Sequence, residues 1–290
     1  MSITGDEIGS QPRLWRRAAA LRPDVLPEPG AEVGVIGCGT SLYMAQAWAA
    51  LREAAGHGRT DAFAASEVPP GRRYDVVVAL SRSGTTTEVV HALGRLEAGR
   101  SVAITAVAGT PVAEAADDAV VLDFADEESV VQTRFATTAL TLLRAHEGVD
   151  TAPAAEDAER ALELPIPAAA DRWAFLGRGW TVGLAHEAAL KLREAAQAWT
   201  EAYPVFEYRH GPISIAGPGA AVWFIGAPTD GIAERVAEVG GTVVAPDLDP
   251  LASLVLAQRT AVALAEAAGL DPDNPRNLTR SVVLTSEVLP

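Results

Sequence analysis

Five consecutive apolar residues, Val76-Val77-Val78-Ala79-Leu80, run directly into Ser81-Arg82-Ser83-Gly84-Thr85-Thr86-Thr87. An apolar run without alternation reads as a strand buried on both faces, the situation of a strand inside a parallel sheet. A helical pattern follows, with Val89, Val90 and Leu93 inward and Arg95 and Glu97 outward. Strand, hydroxyl-rich turn and helix together make the layout of an anion site. The first N–H groups of a helix lack intrahelical partners, the helix dipole is positive there, and hydroxyls donate to phosphate oxygens. Ser and Thr are also the ordinary N-caps. Five hydroxyls in the seven positions from Ser81 to Thr87 exceed what capping alone requires.

A second junction of this kind lies upstream, where Val33-Gly34-Val35-Ile36-Gly37 leads into Cys38-Gly39-Thr40-Ser41 and a helix over 42–55. A dinucleotide fingerprint is excluded, because Gly37-x-Gly39 needs a third glycine where Leu42 stands. A basic, Ala-rich helix is expected over 13–21, ended by Pro23, Pro27 and Pro29. Further strands are expected at 62–64, 102–107 and 120–122, and the polar stretch 126–134 opens a helix running to about 144. Strands alternating with helices imply an α/β fold with a parallel, doubly wound sheet whose ligands lie at the carboxyl ends of the strands.

From 148 to 167 the chain turns acidic and Ala-rich and is broken by Pro153, Pro165 and Pro167, with a linking helix over 156–164. The boundary is set here, giving domains 1–150 and 151–290. The second begins with a strand over 173–176 that ends in Gly177-Arg178-Gly179, followed by a helix over 182–199. Strands at 221–225 and 242–245, a helix over 250–268 and a terminal strand over 282–285 complete it. Two successive units of strand, glycine turn and helix suggest an internal duplication.

A formal net charge of -15 argues against nonspecific binding to nucleic acid or to an anionic membrane. It also requires local positive charge wherever a phosphate is held. Cys38 is the only cysteine, which excludes an intrachain disulfide and a zinc site built on two cysteines, and fits a reducing, cytoplasmic setting. It is read as a packing residue. No apolar run approaches the roughly 20 residues of a bilayer span.

Glu187, Lys191 and Glu194 recur at i, i+4 and i+7 and so share one stripe of a helix. A solvated face with weak ion pairs is one reading. The surrounding Ala185, Ala188, Ala189, Leu190, Leu192, Ala195 and Ala196 support the other, a partly buried carboxylate suited to proton transfer. His210 precedes Gly211-Pro212, a rigid turn that can present it to a ligand; from spacing alone a hydrogen-bonded surface histidine is favoured.

These segments, taken in order, resemble the double SIS (sugar isomerase) domain family. They are Cys38-Gly39-Thr40-Ser41, Ser81 to Thr86, Glu187 to Glu194, Glu201-Ala202-Tyr203, His210-Gly211-Pro212 and 275–282. The resemblance implies two tandem flavodoxin-like subdomains, each a parallel sheet flanked by helices, and a homodimer with a shared active site. It implies that Gly39, Thr40, Ser41, Ser81, Arg82, Ser83 and Thr86 hold a sugar phosphate and that Val130 and Gln132 line the sugar. Glu194 would move the proton between C1 and C2, His210 would assist ring opening, and Lys191 matches a lysine of the same helix. No metal and no cofactor is expected, since a placed base and an anchored substrate suffice for proton transfer next to a carbonyl.

Three departures qualify the resemblance. The family loop Ser-Gln-Ser-Gly-Glu-Thr has Arg82 for its amide and Thr85 for its carboxylate here. That makes the loop more positive, which suits an anion in an acidic protein. Arg280 stands where related synthases have a catalytic lysine; it can bind a phosphate or a carboxylate but forms no Schiff base. Met1 is followed by Ser2, without a glutaminase domain and its N-terminal cysteine, so glutamine-dependent amination by this chain alone is not expected. The leading expectation is a phosphosugar aldose/ketose isomerase or an amino-sugar-phosphate deaminase or deglycase. The alternatives are a non-catalytic phosphosugar sensor and the isomerase subunit of a partner-dependent aminotransferase.

Overall fold

The computed structural model describes residues 2–229 and 231–284. Two compact units partition the chain, one made of Leu14–Thr151 with Thr279–Pro290 and the other of Met1–Arg13 with Ala152–Leu278.

The first unit carries β1 (Val33–Gly37), α2 (Thr40–Ala54), β2 (Thr60–Ala64), β3 (Arg73–Leu80), α3 (Thr87–Arg95), β4 (Glu97–Thr105), α4 (Pro111–Ala115), β5 (Asp118–Val121) and α5 (Arg134–His146). Its sheet is parallel throughout, with strand order β2-β1-β3-β4-β5. This is the flavodoxin-like winding, whose direction reverses between β1 and β3. Val76–Leu80 is buried at every position, as the unbroken apolar run requires. On α3, Val89 is buried and Val90 and Leu93 pack against the same core as Ile36, Val77 and Ala79.

The second unit carries α6 (Ala152–Glu163), β6 (Arg172–Gly177), α7 (Thr181–Ala196), β7 (Trp199–Pro204), β8 (Ala220–Phe224), α8 (Ile232–Glu238), β9 (Thr242–Val244) and α9 (Pro250–Ala267). Its sheet is also parallel, ordered β7-β6-β8-β9. Both units join their leading strand to its helix by the same device. A Cβ on Gly37 would lie 2.7 Å from the backbone carbon of Ser41, and one on Gly177 would lie 2.3 Å from the carbonyl oxygen of Thr181. Each helix therefore starts against the last residue of its strand, and only glycine leaves the room.

Four elements differ from the sequence expectation. The helix expected over 13–21 is α1 (Ile3–Ala19), which takes Pro12 into its interior. Pro12 has no N–H for the carbonyl of Ile8; Gln11 Nε2 donates to that carbonyl instead, at 3.1 Å. The helix expected through 199 stops at Ala196, where Gln197 adopts φ 53°, and Trp199–Pro204 forms the edge strand β7. A half-exposed edge strand lacks the apolar run that marks a central one. Glu97, expected on α3, opens β4. Val282–Leu284 forms no strand, and Thr285 lies outside the described residues.

Candidate active site

The proposed binding loops sit where the winding of the first sheet reverses, at the carboxyl ends of β1 and β3. Gly39, at φ 54°, is the N-cap of α2, so Thr40 and Ser41 occupy its first turn, both buried. Ser41 Oγ lies 3.5 Å from Gln132 Oε1, which joins this turn to the loop before α5. Neither α2, whose N-cap is Gly39, nor α3, whose N-cap is Thr86, begins with a side-chain cap bond. Ser83 Oγ accepts from the Thr85 N–H at 3.2 Å and from Thr85 Oγ1 at 3.1 Å. Ser81 is 4% exposed, and its Oγ is buried with no hydrogen-bond partner among the described residues. A buried hydroxyl without a partner is costly, and this one follows the carboxyl end of β3, where ligands of an open α/β sheet bind.

Arg82 stands differently from the expectation. Its side chain is buried rather than offered to an anion, with the residue 3% exposed. Nη1 donates to the carbonyls of Ser129 at 3.1 Å and Val130 at 3.4 Å, and Nη2 donates to the carbonyl of Arg280 at 2.7 Å. The carboxylate of Glu127 lies 3.7 Å away. A guanidinium so enclosed needs acceptors and a counter-charge, so the extra positive charge is neutralised inside the protein. Val130 thus takes part through its carbonyl.

Glu127 is the residue that sequence reasoning missed. Its Oε1 accepts from Thr133 N–H at 2.5 Å, Thr133 Oγ1 at 2.8 Å and Arg134 N–H at 2.7 Å, placing a buried carboxylate at the N-terminus of α5. The signal was present in the pairing of an arginine just past a buried strand with an acidic loop. It points to no particular carboxylate among Asp126, Glu127 and Glu128. Arg280 also faces this loop rather than an open site. It donates to the Glu127 carbonyl and, at 2.5 Å, to Asp126 Oδ1.

The second unit carries the proton-transfer candidates on α7. Glu187 and Lys191 are each 1% exposed, which decides against a solvated face. Lys191 Nζ lies 3.4 Å from Glu187 Oε1 and donates to Glu194 Oε2. Glu194 keeps 18% of its side chain accessible, so of the two carboxylates it is the one open to a ligand. His210 is exposed at the end of a short 3-10 turn, Glu207–His210. The turn is anchored by Tyr208, buried in the core with Ala174, Leu176 and Phe224. Burial, and then the Glu201 carboxylate, pushes the Tyr208 phenol up to about 12.

Cys38 is partly buried, and burial together with the Glu88 carboxylate pushes its thiol up to about 11, which accords with a packing role. Among the described residues, no cluster of three or more His, Cys, Asp or Glu is arranged to hold a metal ion. No helix of the described residues is long and apolar enough to cross a membrane.

Residues 32–146 match the family model of the SIS domain. The chain is similar to the glutamine–fructose-6-phosphate aminotransferase (isomerizing) of Aeropyrum pernix, 29% identical over 72% of this chain and 43% of that protein. The chain thus spans about half or less of the length of such relatives. A solved glucosamine-6-phosphate deaminase from Thermotoga maritima superposes with a TM-score of 0.83 and 26% identity, covering 98% of this chain and 100% of that one. The tagatose-6-phosphate ketose/aldose isomerase of Escherichia coli shares the fold, with a TM-score of 0.78 and 19% identity over 99% of this chain and 97% of that one. The stretch that matches the SIS domain thus contains both hydroxyl loops, Arg82 and Glu127, and the full length of the chain is similar in fold to the solved deaminase and isomerase.

Proposed function

We propose that this chain is a phosphosugar isomerase or amino-sugar-phosphate deaminase. The hydroxyl loops of the SIS domain would hold the phosphate, and Glu194 would carry a proton between C1 and C2 of the opened sugar. The observation that carries this reading is the loop of Ser81, Ser83 and Thr86, which joins the carboxyl end of β3 to the N-terminus of α3 and contains a buried hydroxyl, that of Ser81, with no hydrogen-bond partner among the described residues. On α7, Lys191 donates a hydrogen bond to Glu194, which fixes the position of its carboxylate. His210 would assist ring opening from its anchored turn. The similarity to the Thermotoga deaminase over nearly the whole of both chains supports an enzyme rather than a sensor.

We also propose that 152–278 is a second, diverged copy of the same unit. Its winding order β7-β6-β8-β9 repeats β2-β1-β3-β4, and its Gly177 repeats the role of Gly37. A cytoplasmic homodimer with a shared site belongs to the same reading. It is supported by large apolar side chains on the surface of that unit, with Trp199 72%, Phe206 45% and Ile215 41% exposed.

A screen of glucosamine 6-phosphate, fructose 6-phosphate and tagatose 6-phosphate by thermal shift identifies the ligand, and turnover follows by coupled assay. Glu194→Gln should abolish turnover while leaving binding of the same compound intact. Undiminished turnover in that variant would remove Glu194 from the mechanism. Light scattering checks the dimer.

A further inference from the structure

Of the three positions at which the chain leaves its family pattern, Arg82 and Thr85 share one loop and Arg280 is distant in sequence, yet all three belong to one polar network in the first unit. Arg82 donates to the carbonyl of Arg280 and to those of Ser129 and Val130, with Glu127 as its counter-charge. Thr85 Oγ1 and Ser281 Oγ share a hydrogen bond at 2.7 Å. Arg280 binds the Asp126 carboxylate and the Glu127 carbonyl. Two further contacts continue the seam, Thr87 N–H to the Val282 carbonyl at 3.3 Å and Leu284 N–H to Thr87 Oγ1 at 2.9 Å. Segment 279–284 therefore lies along the phosphate loop. The loop, that segment and the 126–134 stretch meet at one buried guanidinium.

We propose that Arg82 is a positioning residue. It fixes segment 279–284 and the 126–134 loop as preformed walls of the phosphate-binding half-site, with Glu127 as its obligatory partner and Thr85 and Arg280 as accessory fasteners. A side chain buried to this degree and committed to three carbonyls from two separate segments does not contact the substrate. It acts by removing the freedom of the segments that would. Ordering a loop on binding subtracts directly from affinity, so a half-site ordered in advance binds more tightly than one that closes around its ligand. A planar fork reaches several carbonyls at once, which an ammonium or a neutral amide at the same place does not.

The proposal rests on the sugar-phosphate reading only for its binding experiment. Hydrogen exchange on the unliganded protein tests the walls themselves. In Arg82→Gln, amides at 127–133 and 279–284 should exchange faster while those of β1 and β3 are unchanged. Binding of the sugar phosphate found in the screen should weaken about tenfold, expressed as a higher KM with kcat little changed, because binding common to ground and transition states has been lost. Glu127→Gln should weaken binding similarly. The double variant should be no worse than Arg82→Gln within about twofold, since both remove one interaction. Arg82→Lys should restore little of the loss. Should Arg82→Gln fail to fold, Thr85→Ala removes the Ser281 fastener together with the Thr85 hydroxyl's bond to Ser83 and should speed exchange in 279–284 while leaving 127–133 unchanged. Unchanged exchange in the two segments overturns the proposal, as does faster exchange with unaltered affinity or additive losses in the double variant. A wild-type protein that binds no sugar phosphate overturns the proposed function instead, and the exchange result still decides the role of Arg82.

Discussion

Ser81→Ala is expected to stabilise the unliganded protein and to weaken the binding of phosphate. The two effects are opposite in sign and share one cause. Ser81 is 4% exposed, and its Oγ has no hydrogen-bond partner among the described residues. An unsatisfied buried hydroxyl costs roughly 1–3 kcal/mol. Alanine keeps the Cβ and removes the hydroxyl, so unfolding in urea should show a gain of about 1 kcal/mol after loss of the oxygen's packing contacts. Binding loses one hydrogen bond to an anion, about 1.5 kcal/mol, which is roughly tenfold in Kd by calorimetric titration with the sugar phosphate. Ser83→Ala should behave otherwise, because Ser83 Oγ already accepts from the Thr85 N–H and hydroxyl. That variant should lose both stability and affinity. A Ser81→Ala protein destabilised by about 1 kcal/mol, or one with unaltered phosphate affinity, would refute the assignment of this hydroxyl to the ligand.

Other expectations concern the second unit and the lone thiol. At 3.4 Å and an effective dielectric constant of about 20, Lys191 and Glu187 attract by about 5 kcal/mol. Lys191→Met should therefore cost about 3–5 kcal/mol in urea unfolding by leaving a buried carboxylate without its cation, and Glu187→Gln added to it should recover most of the loss. A cost below about 1 kcal/mol would place water at the pair. Burial, and then the charge of Arg193, holds His186 below its ordinary value of 6.5, so the unfolded chain takes up this proton before the folded one as pH falls. Its contribution is complete above the unfolded value and is lost as pH drops through the folded one. His186→Asn should thus flatten the fall in stability between about pH 7 and pH 5, and an unchanged slope would count against it. With its thiol pushed up to about 11, Cys38 should react with a disulfide reagent at pH 8 about a hundredfold more slowly than free cysteine; rapid labelling would contradict that.

Local chemistry made much of this molecule legible. The apolar run Val76–Leu80 is a strand buried at every position, and the long apolar helix expected over 250–268 is α9, Pro250–Ala267. Where local signals compete, tertiary contacts win. Apolar residues continue past Ala196, yet pairing with β6 draws Trp199–Pro204 into an edge strand. Pro12 marks a helix boundary by itself and becomes interior because Gln11 supplies the missing donor to Ile8. The stripe of Glu187, Lys191 and Glu194 followed from helical spacing, but whether it faced water or the core did not.

The loop around Arg82 separates the two kinds of information. Strand, hydroxyl turn and helix were determined by the sequence, because periodicity and turn chemistry act over a few residues. The direction of the guanidinium was decided by the tertiary structure. Its acceptors are the carbonyls of Ser129, 47 residues away, and Arg280, 198 residues away. A buried charge is stable only beside partners that satisfy it, and the fold alone determines which distant groups come within reach. That is why a residue whose sequence suggested a hand for the substrate is, in the folded chain, a clamp on the walls of the site.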